Sequence, residues 1–202
     1  MRRGERGLGV RALLKLSGVI DAINTQIGRW IAWLILLAVV VSAGNATVRK
    51  VFDVSSNSWL ELQWILFSAV FLLCAPWTLL KNEHIRIDIV NNQLPRRLRN
   101  AIELIGQTFF LLPLCIIMIV TGVPFFLNSF AYNEQSVNTG GLPQWPSKAL
   151  IMIAFTLLFF QAISELVKRI AVMRGLIPDP HAGQKSSLET EAEELIGAIE
   201  KH

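Results

Sequence analysis

The sequence is poor in the residues that most chemistry relies on. Its 202 residues include two cysteines, three histidines and a single tyrosine. Cys74 and Cys115 fall one each in separate apolar stretches, with no histidine beside either. That excludes a disulfide framework or a zinc site and leaves both thiols as packing residues. His84, His181 and His202 all lie outside the apolar stretches, so no span offers the histidine that haem-binding four-helix membrane proteins need. Charge is equally scarce in the middle of those stretches, where one ionised group costs at least about 2.5–3.5 kcal/mol. The polar candidates Glu61, Gln63, Glu103, Gln107, Gln161 and Glu165 all sit near stretch ends. A proton-coupled four-span exporter would need a deep carboxylate, and none is present. There is no nucleophile-and-base pair and no phosphate loop. The chain is therefore expected to be no enzyme and to hold no cofactor or metal. Its basic residues are not interleaved with aromatics, which argues against nucleic acid as a partner.

Four long apolar runs are present instead, over residues 30–47, 59–80, 107–127 and 145–166. Crossing a bilayer takes about 20 apolar residues, with about 17–25 tolerated. A segment inside lipid must pair every backbone N–H and C=O within itself, so the runs must be helices. The expected fold is an all-α integral membrane protein with four transmembrane helices.

Positive charge is distributed unevenly around these runs. Arg2, Arg3, Arg6, Arg11, Lys15 and Arg29 precede the first. Lys81, Arg86, Arg96, Arg97 and Arg99 lie between the second and third, and Lys168, Arg169 and Arg174 end the fourth. The first loop on the other side carries only Arg49 and Lys50, and residues 128–144 carry no Lys or Arg. Basic flanks stay cytoplasmic, so both termini and the 81–99 loop are expected inside. An even number of spans requires the termini to share a side. The net charge of +4 hides this pattern, because Glu189, Glu191, Glu193, Glu194 and Glu200 crowd the tail. The basic rims imply contact with anionic membrane lipids, worth about 1 kcal/mol per cation near the surface.

Three regions follow: a cytoplasmic N-terminus over 1–29, the four-span domain over 30–166, and a cytoplasmic tail over 167–202 with an acidic end. In the first, Leu13, Leu16, Ile20, Ile23 and Ile27 recur at helical spacing with Arg11, Lys15, Thr25 and Arg29 off that face. This predicts an amphipathic interfacial helix; a plain extension of the first span is the alternative. Residues 85–94 are expected to form a second short interfacial helix, because a lone strand there would leave its edges unpaired. Pro76, Pro113 and Pro124 predict kinks within spans two and three. Pro146 suits a helix start and Trp145 the head-group belt. Glu61, near the start of span two, either complements the helix dipole or docks another subunit. A short acidic helix is expected over 187–199.

These residues together resemble a family. Glu61, then His84-Ile85-Arg86-Ile87-Asp88, then Leu94-Pro95-Arg96-Arg97, resemble the small membrane subunit of tripartite ATP-independent periplasmic (TRAP) transporters. The run 140–146 leading into Trp145 and Pro146, and Gln161–Glu165, are similar too. The similarity covers roughly residues 15–170. It implies a bacterial inner-membrane location and two protein partners, a large permease subunit and a periplasmic solute-binding protein. It implies import of a solute, commonly a carboxylate, driven by sodium, with the small subunit bracing the permease. Glu61, His84, Arg86, Asp88, Pro95, Arg96, Arg97, Trp145 and Pro146 become candidates for contacts with subunits or lipid. A homo-oligomeric channel or carrier with Glu61 and Asn45 at a shared pore, or a membrane anchor of another complex, are the alternatives.

Overall fold

The computed structural model of the chain describes residues 2–53, 56–81 and 96–178, with side chains described from residue 12 onward except at 96, 97, 99, 100 and 103. Helix α1 runs from Arg2 to Phe52 without a break. No proline interrupts those residues, and Asp53 stops the helix in a left-handed conformation, with φ of 53°. At 1.5 Å per residue α1 is about 75 Å long, more than twice the hydrocarbon thickness of a bilayer. Residues 10–29 are therefore helical and continuous with span one.

Helix α2 spans Asn57–Lys81, with Pro76 buried within it. The third run has three parts: α3 over Arg96–Gly106, a π-helical turn over Gln107–Leu111, and α4 over Leu112–Ala131. The π turn has a local cause in the sequence. Pro113 has no N–H to give, and its ring crowds the carbonyl four residues back. The backbone widens just ahead of it, and the Leu112 N–H bonds to the Gln107 carbonyl five residues earlier. The expected effect of Pro113 is thus a widened turn, while Pro124 lies inside α4. Helix α5 runs from Trp145 to Met173, with Pro146 in its first turn, where a missing N–H is harmless.

Four helical stretches are long and apolar enough to cross a membrane: Ala12–Phe52, Asn57–Lys81, Leu104–Ala131 and Trp145–Met173. They contain the four runs read from the sequence. Helix α5 is the hub, touching α1, α2 and α4. Its buried positions include Ala154, Ala162 and Ala171, small residues that let neighbouring backbones approach. Gly28 does the same where α1 meets α2. A β-carbon there would lie 2.6 Å from Trp77 Cγ. Between α2 and the third run an apolar groove of about 710 Å³ remains open, lined in part by Phe71, Cys74, Gln107 and Leu158.

The usual inside-out order of a soluble protein is reversed. Trp30, Trp33, Phe71, Phe109, Phe110 and Val120 all face outward, while Gln161, Asn24, Ser164 and Glu165 are buried. Lipid tails accept the apolar exterior, so polar contacts between helices become the specific interior.

Candidate functional site

Two polar clusters hold the bundle, one at each end. The first forms around Glu61. This residue lies one turn into α2 and is 7% exposed. Its carboxylate collects donors from the loop between α4 and α5. The Ser136 hydroxyl and the Asn138 amide, the latter at 2.8 Å, both donate to Oε1. The Leu142 backbone N–H donates to Oε2 at 2.6 Å. Nearby, Asn57 donates to the Thr139 carbonyl at 2.9 Å, and the Ser58 hydroxyl donates to the Gly140 carbonyl. The start of α2 is thereby fastened to the tip of the loop.

The loop is itself folded. Asn133, with φ of 45°, turns the chain away from α4, a conformation asparagine tolerates. Gln135 and Pro143 form an antiparallel bridge, and the Ser136 N–H donates to the Leu142 carbonyl at 3.1 Å. Gly140 reverses the chain with φ of 72°. Below the loop, Trp145 meets Phe130 edge to face with centroids 5.6 Å apart. The Lys148 ammonium lies 4.0 Å from the Phe125 ring centroid and pairs with Glu134. That pairing holds the Glu134 carboxyl below its ordinary range.

The second cluster joins α1 to α5 at the opposite end. The Ser17 and Ser164 hydroxyls are 2.5 Å apart. The Asn24 amide donates to Gln161 Oε1 at 2.7 Å. Gln161 in turn donates to Asp21 at 2.9 Å and to Glu165 at 3.1 Å. Ser164 donates to Asp21 at 3.0 Å. Lys168 bridges the two acids, reaching Asp21 at 3.0 Å and pairing with Glu165 as well. Gln161 at the centre is fully buried. Such a network fixes helix register more than it adds net stability, since interhelical hydrogen bonds in membranes average about 0.6 kcal/mol.

Of the sequence-derived candidates, Glu61, Trp145 and Pro146 lie at the same end of the bundle, Glu61 bonded to the loop and the other two at the start of α5. Arg96 and Arg97 are the first two residues of α3. His84, Arg86, Asp88 and Pro95 lie outside the described residues, as do the expected short helices over 85–94 and 187–199. Gln161 and Glu165 were visible as polar residues in span four, but their partners Ser17, Asp21 and Asn24 were not singled out. A signal for them existed: Ser17, Asp21, Asn24 and Gly28 recur at spacings of four, three and four. They form the packed face of α1, while Leu13, Leu16 and Ile23 point outward. Among the described residues no group of three or more His, Cys, Asp or Glu side chains could hold a metal ion.

The chain matches the family model described as tripartite ATP-independent periplasmic transporters, DctQ component, over residues 37–172. Neither the curated proteins nor the solved structures give a match. The family match covers well over half of the chain, and the chain belongs to that family. The matched region takes in Glu61, its loop and the α5 half of the second cluster, and leaves Ser17, Asp21 and Asn24 outside.

Proposed function

We propose that this chain is the non-catalytic subunit that braces and anchors the large permease of a TRAP transporter. The permease imports a solute, a carboxylate in this reading, that a periplasmic binding protein delivers. A sodium gradient drives the import. The chain sits in the bacterial inner membrane with both termini in the cytoplasm, as the asymmetry of Lys and Arg favours.

One observation carries the bracing role. Polar side chains gather at the two ends of the bundle and bond to one another, while the stretch between them is apolar. On α5, the hub, residues 149–160 include no charged side chain and a single hydroxyl, Thr156, which donates to its own helix at Met152. A transport pathway needs polar or ionisable groups near the bilayer midplane. A brace needs a rigid bundle with an apolar exterior, and that description fits.

The test is co-purification. The full chain, tagged and isolated from its own cells in mild detergent, should bring down a much larger multi-span permease in one-to-one ratio. Recovery of the chain as a closed homo-oligomer without that partner would contradict the proposal.

A further inference from the structure

Arg49 and Lys50 are the exception to the charge pattern that orients the chain. They stand at the end of α1 opposite the basic termini, and neither forms an ion pair among the described residues. Both line a polar pocket of about 620 Å³ between the end of α1 and the start of α2. Ser42, Asn45 and Asp53 on the α1 side and Gln63 on α2 line it with them. A helix C-terminus attracts a cation in its last turn. That effect does not account for uncharged polar side chains from two helices gathering around two unpaired cations.

We propose that this pocket binds the head group of an anionic phospholipid, with its phosphate on Arg49 and Lys50. Depth supports this. Arg49 lies just past the apolar run that ends near residue 47, and Trp59 and Trp64 are exposed at the same end of α2. Tryptophan marks the head-group level. Charge supports it as well. Arg49, Lys50 and Asp53 sum to one positive charge, which complements a head group carrying one negative charge. Guanidinium and ammonium groups form charge-assisted hydrogen bonds to phosphate oxygens. Head-group hydroxyls, as on phosphatidylglycerol, find acceptors in the Asp53 carboxylate and the amide oxygens of Asn45 and Gln63. The apolar outer face of α1, with Val40 and Val48 exposed, then lies beside the acyl chains. This inference does not depend on the transporter role, because it concerns only how this chain meets its membrane.

Native mass spectrometry of the purified full chain, titrated with phosphatidylglycerol, tests it. The wild type should retain one phosphatidylglycerol per chain and prefer it to phosphatidylcholine. The Arg49→Gln/Lys50→Gln variant should lose that affinity by about tenfold or more. Arg174→Gln, at the other end of the bundle, should not. Equal retention by the double variant and the wild type would overturn the proposal. So would displacement of the lipid by millimolar inorganic phosphate, which would make this a free-phosphate site. If the double variant does not fold, the wild-type comparison decides, and equal binding of the two lipids overturns the proposal.

Discussion

Gly141 packs so closely over Glu61 that a β-carbon at position 141 would lie 2.7 Å from Glu61 Oε1. The same atom would lie 2.5 Å from the Ser136 β-carbon. The missing side chain lets the loop backbone settle over a carboxylate buried in α2. It thereby brings the Leu142 N–H and the Ser136 and Asn138 side chains within bonding distance, across sequence separations of 75–81 residues. Loop and helix behave as one unit because of that contact.

Gly141→Ala should therefore destabilise the chain by about 1–3 kcal/mol, the usual range for overpacking a tight contact. Thermal unfolding of the purified chain in detergent measures this. Gly44→Ala is the control. Nothing lies within 4 Å of a β-carbon there, and Gly44 is within α1, so its stability should hold or rise slightly. Equal melting temperatures for the Gly141 variant and the wild type would remove the steric argument.

Glu61→Gln keeps the size of the side chain but replaces one acceptor oxygen with a donor. Three donors converge on the native carboxylate, so at least one is left without a partner. Hydrogen exchange at the Leu142 amide should accelerate markedly in this variant, with the amides of α5 beyond residue 150 unchanged. Unaltered protection at Leu142 would show that the loop holds its shape without Glu61.

At the opposite end, Asp21 and Lys168 should prove energetically coupled. Single variants Asp21→Asn and Lys168→Met and their double combination form a thermodynamic cycle. Its coupling energy is expected at about 0.5–3 kcal/mol, the range for residues in one network. A value indistinguishable from zero would reduce the cluster to a crowded surface.

The sequence displayed the four spans because length and hydropathy are local properties. Glu61, Trp145 and Pro146 were legible for similar reasons: each is an unusual residue at a span end. The packed face of α1 was harder to read. Amphipathic spacing reveals that a helix has two faces, and in water the apolar one turns inward. In α1 that preference is reversed: Ser17, Asp21 and Asn24 face α5 while Leu13, Leu16 and Ile23 face out. The donors to Glu61 lie too far along the chain for any local pattern to connect them. The π turn at 107–111 needed the structure, since Pro113 announces a disturbed helix without specifying its form.

The His84, Arg86 and Asp88 motif lies outside the described residues, and its sequence alone motivates the proposal that it helps to position the loop between spans two and three. Asp88→Ala and Arg86→Ala should then lower the yield of the complex or its uptake rate. The binding protein's affinity for its solute should be unchanged. Normal yield and normal uptake in both variants would return these residues to an unspecialised loop.

Reconstitution into liposomes tests the central claim most directly. Solute uptake in the presence of the binding protein and a sodium gradient is compared for this chain alone, the permease alone and the two together. The bracing role predicts uptake only when both are present, and none above empty vesicles for this chain alone. Uptake by this chain alone would contradict the account, because it would require a polar pathway through a bundle whose middle is apolar.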